Sequence, residues 1–359
     1  MDRRALLLLT GALLLSLYTH SMVFSEWHMP TYGNTMIHVA NARHLVEHGY
    51  YPLENDYSYG GGIPNPYVPV YRFALAEAVF LTGADYDAIS RLFVMMFALL
   101  VPLGFFLLAR RAFGEWAGVA AAFLASLVPE LLIYTVRPLP QAMGLALLPV
   151  AFYLMMTGKR APALAAAFII SLVHQEAAVF LVGVAAAYFG LKLLEAALRW
   201  GVDKENFALD GNALTALLCA LAGTAAYFAW HFFAMGNFDI LSLAQFQHHE
   251  GNPVDYALLL TKTGKVVLAL SIAGAFACAW AVYGKWKTRN INAELFAFGI
   301  ALAGFGAIKN DVFGMRVFMD RFIVFLDLGL ILLAACGLAA ALKLAVELQK
   351  KIEGKKQIV

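Results

Sequence analysis

Val68-Pro69-Val70-Tyr71-Arg72-Phe73-Ala74-Leu75-Ala76-Glu77-Ala78-Val79-Phe80-Leu81 decides how this chain is threaded. The run is apolar enough to suggest a membrane span. Yet it has only about 14 residues, and a span needs about 20. Arg72 and Glu77 also interrupt it. Read as a span, it would reverse the side of every later loop. Arg110-Arg111 and all basic loops to Lys356 would then face outward, while Arg3-Arg4 still argues for a cytoplasmic start. Cytoplasmic loops carry an excess of Lys and Arg. The run is therefore predicted to be an interfacial or re-entrant helix.

Working outward from it, the apolar runs thread as about ten membrane helices of near-spanning length. They are Ala5–Phe24, Ala88–Ala109, Trp116–Tyr134, Ala142–Thr157, Pro162–Val173, Ala177–Leu198, Ala213–Ala234, Val266–Tyr283, Ala293–Ile308 and Phe322–Val346. Both termini are then cytoplasmic. Arg110-Arg111, Lys159-Arg160, Arg199 with Lys204, and Lys285 with Lys287 and Arg289 fall on that side, as does the tail 347–359. The nine histidines fall on the opposite side or at helix ends opening there. The expectation is an all-α, multi-pass cell-membrane bundle. It forms one integral domain, 1–359, with external loops at about 25–87, 235–265 and 309–321.

Composition agrees. Hydrophobic residues make up 62% of the 359 and charged residues 14%, against about 25% charge in ordinary globular domains. Mean hydropathy is +0.71. A net charge of +2 gives no reason to expect nucleic acid. Cys219, Cys278 and Cys336 lie far apart inside apolar runs, which implies small packed hydrophobes and neither a disulfide frame nor a zinc site. Met1-Asp2-Arg3-Arg4 before Ala5–Phe24 has the look of a signal peptide, but no small-x-small cleavage site follows. The run is read as a retained first helix.

Chemistry is expected where charge stands at external helix ends. In the first loop, Asn34–His48 reads as an amphipathic helix. Val39, Ala42, Leu45 and Val46 share one side, and Asn41, His44 and His48 the other, flanked by Asn34 and His38. Glu26, His28, Glu54 and Asp56 lie in the same loop. Arg137 ends the third span about two turns after Glu130, so the pair either neutralises itself or serves a site. His174-Gln175-Glu176 breaks one long apolar run into two helices and reads as a site wall. Lys309, Asp311, Arg316, Asp320 and Arg321 cluster before the last span, where a guanidinium suits a phosphate; Asp327 is placed to orient Arg316 or Arg321. His248-His249-Glu250 could hold a metal, but adjacent histidines do not readily face one ion. No cofactor is expected, and no divalent metal is indicated.

Several of these features together resemble a known family. The helix Asn34-Thr35-Met36-Ile37-His38 stands where a D-x-x-x-H helix would, followed by Ala42 through Gly49 to Pro52. A Gly/Pro/Tyr turn, a short helix ending Leu81-Thr82-Gly83, an Arg91-led helix and the start Arg321-Phe322 through Leu328 come after. In this order they resemble the GT-C superfamily of polytopic glycosyltransferases, particularly archaeal-type members. The resemblance implies sugar transfer from a polyprenyl (dolichyl) phosphate donor on the extracytoplasmic face. The acceptor would be a lipid-linked or cell-surface glycan. It also implies an acidic base in the first loop and basic residues on the lipid phosphate. The acidic position falls on Asn34, so Glu26, Glu54 or Asp56 supplies the carboxylate, or the register differs, or the site is silent. The catalytic candidates are thus Glu26, Asn34 and Asp56; the substrate-binding candidates are His38, Arg137, His174, Glu176, Arg316 and Arg321. Expected partners are the prenyl-linked sugar, the glycan or glycolipid acceptor and membrane lipids. The alternative is a catalytically silent lipid-binding or assembly subunit of a membrane complex. A transporter would show related halves and broken helices, and neither is read here.

Overall fold

The computed structural model describes residues 2–26, 34–55, 63–65, 67–236, 252–288 and 290–356. It is a helix bundle. In chain order the helices are α1 (Arg3–Glu26), α2 (Thr35–His48), α3 (Val70–Thr82), α4 (Tyr86–Phe113), α5 (Glu115–Leu127) and α6 (Pro129–Thr135). There follow α7 (Pro140–Met156), α8 (Arg160–Ser171), α9 (Gln175–Gly201), α10 (Gly211–Met235), α11 (Tyr256–Thr263), α12 (Lys265–Lys285), α13 (Asn292–Ile308) and α14 (Ile323–Lys356). The one strand pairing among the described residues is a two-residue antiparallel bridge, Glu54–Asn55 with Ile63–Pro64.

Local sequence sets these boundaries. Asp85, Asp210 and Asp255 each cap a helix by accepting from a backbone N–H three residues on, at 2.7, 2.8 and 2.7 Å. Gly49 and Gly83 close α2 and α3 in the left-handed region that glycine adopts without strain. Val128 is extended ahead of Pro129, as a residue before proline prefers. That breaks the run expected as one helix over Trp116–Tyr134 into α5 and α6, bent by 68°. A broken span was not read from the sequence.

α14 is the axis of the bundle. Its residues from Ile323 to Cys336 are almost all buried, against α12 on one side and α13 on another. α13 and α14 touch because each gives a glycine: a methyl on Gly304 would lie 2.6 Å from Leu326 Cα, and one on Gly329 2.7 Å from Ala301 Cα. Cys278 of α12 and Cys336 of α14, expected far apart, meet with their Sγ atoms 3.3 Å from each other. α12 turns Phe276, Trp280 and Tyr283 outward, each more than 70% exposed.

Nine of the ten expected helices are present as single helices and the other is the broken pair α5–α6, but ten spans are not supported by length. Six are individually long and apolar enough to cross a membrane, and a seventh if α5 and α6 count as one. α7, α8 and α13 are apolar but have only 17, 12 and 17 residues. At 1.5 Å per residue none reaches the ~30 Å of a bilayer core. The chain is a multi-pass membrane protein by its long apolar helices. α3, with 13 residues, is not among the helices long and apolar enough to cross.

Lys192, a cation inside the long helix α9, is buried. Its Nζ lies 3.0 Å from Asp210 Oδ2 and donates to Asn292 Oδ1 at 2.7 Å and to Glu195. Glu195 also accepts from Arg199 Nε at 3.0 Å. This network ties α9 to α10 and α13 at the end of the bundle opposite the His174 turn.

Candidate functional site

The apolar run from α8 to α9 is interrupted by Leu172, Val173 and His174, and this turn organises the site. His174 is extended ahead of α9, and Glu176 lies in the first turn of that helix. Leu172 O accepts the Val70 backbone N–H at 2.9 Å, which docks the start of α3 on the turn. Tyr71 Oη donates to Pro138 O at 2.6 Å, fixing the segment before α7. The first turns of α2, α7 and α9 and the entry to α14 are thereby gathered around one opening.

Between them lies a cavity of about 100 Å³, walled by Asn34, His38, Tyr67, Gln141, His174, Glu176 and Arg321 among others. Glu176 is 3% exposed. Its Oε2 accepts from Gln141 Nε2 at 2.8 Å, and its Oε1 lies 3.8 Å from Arg321 Nη1. Arg321 is half-exposed and stands 4.7 Å over the Phe318 ring, so its guanidinium keeps donors free for a ligand. His174 is buried, and its Nδ1 has no partner among the described residues. Burial, and then the charge of Arg321, push the His174 imidazole down to about 3. Burial also holds His38 well below its ordinary value, with Arg72 and His174 adding to the effect.

Under the cavity is a polar layer that the sequence did not suggest. Arg72, expected only to interrupt an interfacial helix, is 2% exposed. Its Nε donates to His38 Nδ1 at 3.2 Å, and its Nη1 donates to Asn65 Oδ1 at 3.0 Å and to Tyr51. Asn65 Nδ2 donates in turn to Asn41 Oδ1 at 2.8 Å and to Pro52 O at 2.8 Å. The guanidinium lies 4.9 Å over Tyr67. Among the described residues no carboxylate pairs with it. This changes the reading of α2. Its buried face holds Thr35, His38, Asn41, Ala42 and Leu45, while Val46 is exposed. Arg72 needs acceptors, and His38 and Asn41 turn inward to supply them.

A second, wider cavity of about 320 Å³ opens beside α6, lined by Glu130, Ile133, Tyr134, Arg137, Thr261 and Lys262 among others. Glu130 is paired with Lys262 at 2.6 Å rather than with Arg137. Arg137 stands 5.2 Å from the Tyr134 ring centroid. Asp327 accepts from Thr263 Oγ1 at 2.6 Å, so it orients α11 and not Arg316 or Arg321.

Of the candidates read from sequence, Asn34, His38, His174, Glu176 and Arg321 thus share one cavity, and Arg137 lines the other. Arg316 is exposed and in the wall of neither. Glu54 is exposed. Asp56, His28, His248, His249 and Glu250 lie outside the described residues, as does the Glu26 side chain. Gln141, Tyr67, Arg72 and Lys262 were missed. Arg72 and Lys262 carried a signal, as charges beside apolar runs; Gln141 and Tyr67 carried none. Among the described residues no three His, Cys, Asp or Glu side chains are grouped to hold a metal.

No protein-family model matches the sequence, and no curated protein does. Solved structures do match in fold. The archaeal oligosaccharyltransferase AglB from Archaeoglobus fulgidus, in complex with an inhibitory peptide and a dolichol-phosphate, superposes with a TM-score of 0.60 at 15% identity, over 98% of this chain and 52% of that one. An Archaeoglobus fulgidus oligosaccharyltransferase in the apo form gives 0.61 at 14% identity, with the same coverage. ArnT from Cupriavidus metallidurans, bound to undecaprenyl phosphate, gives 0.60 at 18% identity over 93% of this chain and 59% of that one. The chain spans about half the length of these proteins. At such identities the likeness is one of fold. The chain has the helical membrane fold of these proteins.

Proposed function

We propose that the chain is a membrane glycosyltransferase that moves a sugar from a polyprenyl-phosphate donor to a lipid-linked or cell-surface glycan. The observation that carries this reading is the meeting of Asn34, His38, His174, Glu176 and Arg321 in one cavity at the ends of four helices. It is supported by the fold shared with proteins solved with dolichol-phosphate and undecaprenyl phosphate. The reaction is a displacement at the anomeric carbon. The acceptor oxygen bonds to that carbon as its bond to the phosphate oxygen breaks, and the lipid phosphate leaves with the electron pair. Arg321 takes up the charge that develops there. Arg137, in the wider cavity beside α6, is the second cation for the lipid phosphate. The acceptor proton goes to a carboxylate: Glu176 in the cavity, or Glu26 and Asp56 of the first loop. The site faces the extracytoplasmic side with both termini cytoplasmic, on the bias of Lys and Arg among the loops; this orientation requires the short helices α7, α8 and α13 to cross as well, in a locally thinned bilayer core. On this reading the chain works as one integral membrane domain.

The test is the binding of a prenyl phosphate to purified protein. A charge-assisted bond to phosphate is worth about 1.5–3 kcal/mol, or roughly ten- to a hundredfold in affinity. Arg321→Ala should lose that much, and Arg321→Lys an intermediate amount, because the planar fork is gone while the charge stays. Unchanged binding in both variants would remove Arg321 from the donor site. Asn34, at the position where the resemblance places an acid, favours one second reading, a silent lipid-binding subunit. That reading predicts intact binding with no sugar transfer.

A further inference from the structure

Arg72 and His38 form a pair that the proposed reaction does not use. Arg72 is a permanent donor, since a guanidinium has no acceptor atom and keeps its charge at any ordinary pH. Its Nε–H points at His38 Nδ1 from 3.2 Å. Nδ1 must therefore be the acceptor, with no proton of its own. A neutral imidazole carries one proton, so that proton is on Nε2. The imidazolium is excluded by the same contact, because it would set an N–H against an N–H. The rest of the surroundings agree. Tyr67 meets the His38 ring edge-on at 4.9 Å and Tyr71 at 5.8 Å, leaving the ring little room to turn over. Asn65 and Tyr51 hold the guanidinium from its other side. His38 is itself a wall of the small cavity, and Nε2 has no partner there among the described residues.

We infer that Arg72 is a positioning residue that locks His38 as the Nε2–H tautomer, so that His38 presents a fixed hydrogen-bond donor to a phosphoryl oxygen in the cavity. This rests on the proposed donor site and deepens it in one respect. His38, a substrate-binding candidate by sequence, cannot act as a base. Its Nδ1 is occupied and its Nε2 is already protonated. It works instead beside Arg321, one neutral donor and one cation converging on an anion. Arg72 never reaches the ligand in this scheme and acts through the ring.

The tautomer can be read directly. Protein labelled with ¹⁵N-histidine, with the His38 signals assigned by their loss in His38→Gln, should show an unprotonated Nδ1 and a protonated Nε2 at neutral pH. Arg72→Met removes the donor and should let the Nδ1–H form appear. Binding of a short-chain prenyl phosphate should weaken about tenfold in Arg72→Met, the worth of one hydrogen bond to a charged group. Arg72→Lys, which keeps a donor and a charge, should retain more of both readouts. A second pair guards against a variant that merely packs badly: His38→Gln places an amide N–H near the Nε2 position and should keep most binding, whereas His38→Asn, whose shorter amide stops near Nδ1, should lose it. Inorganic phosphate competing with the lipid would mean that the headgroup alone is recognised. Competition only by the prenyl phosphate would mean that the tail is needed too; both are consistent with the donor role. A protonated Nδ1 in the unmodified protein, or an unchanged tautomer in Arg72→Met, would overturn the lock whatever the binding result. Failure of the unmodified protein to bind prenyl phosphate, with the Nε2–H tautomer observed, would instead defeat the donor-site reading and leave the lock standing.

Discussion

The Glu130–Lys262 pair gives a stability prediction independent of function. Glu130 sits in the first turn of α6, just after the break at Val128, and its side chain is only 5% exposed. Lys262, in the last turn of α11, reaches it at 2.6 Å and is 25% exposed. Lys262→Met leaves the carboxylate buried without its counter-charge. Breaking a buried pair from one side costs about 3–5 kcal/mol. Scaled at roughly 2 °C per kcal/mol for a chain of this size, the apparent melting temperature should fall by about 6–10 °C. Replacing both partners, Glu130→Gln with Lys262→Met, removes the stranded charge and should recover most of the loss. The assay is thermal unfolding in detergent at a fixed scan rate, followed by tryptophan fluorescence. A double variant as unstable as the sum of the single ones would show that the two side chains do not interact, and would refute the placement of α11 on α6.

Three further outcomes follow from the same geometry. His174 stays neutral down to about pH 3 in the fold, whereas a free histidine protonates near 6.5. Between those values the unfolded chain binds the extra proton, so the contribution is complete above pH 6.5 and is lost as pH falls, at up to ~1.4 kcal/mol per pH unit. His174→Asn should flatten the acid limb of melting temperature against pH; an unchanged limb would mean that the imidazole is not buried. Gly329→Val should destabilise strongly, because its Cβ would fall 2.7 Å from the Ala301 backbone, and expression with a normal melting temperature would contradict the packing of α13 on α14. Single cysteines in a cysteine-free background should react with an impermeant reagent in intact cells at Asn252 and not at Lys159. Labelling at Lys159 would reverse the orientation.

Much of the fold was legible because apolar runs of helical length have one physical solution in lipid, where every backbone group must be paired within its own helix. The expected ends of α9, α10 and α12 fall within a few residues of those observed. The break at Val128-Pro129 was less legible: a proline inside an apolar run reads as a kink, and only the geometry makes it a 68° turn. The small cavity was partly legible for the same reason that made His174 and Glu176 conspicuous, namely charge at the mouth of an apolar run. The layer beneath it was not. Periodicity assigns polar residues to water, and it therefore turned His38 and Asn41 outward. The buried guanidinium of Arg72 reverses that preference, because its donors cost more unpaired than two polar side chains cost to bury. Mutual neutralisation of Glu130 and Arg137, one of the two readings open by sequence, rested on nearness along the chain, and Lys262, more than a hundred residues away, takes the carboxylate instead.

The central claim is that this cavity turns over a prenyl-phosphate sugar. The most direct measurement offers a set of radiolabelled prenyl-phosphate sugars, with a glycolipid acceptor, to membranes containing the protein, and follows both the label and the released prenyl phosphate. The account predicts that at least one donor loses its sugar to the acceptor, with one prenyl phosphate freed for each sugar moved, and that Arg321→Ala abolishes the transfer while the protein remains folded. Donors that are bound and stay intact across the set would contradict it.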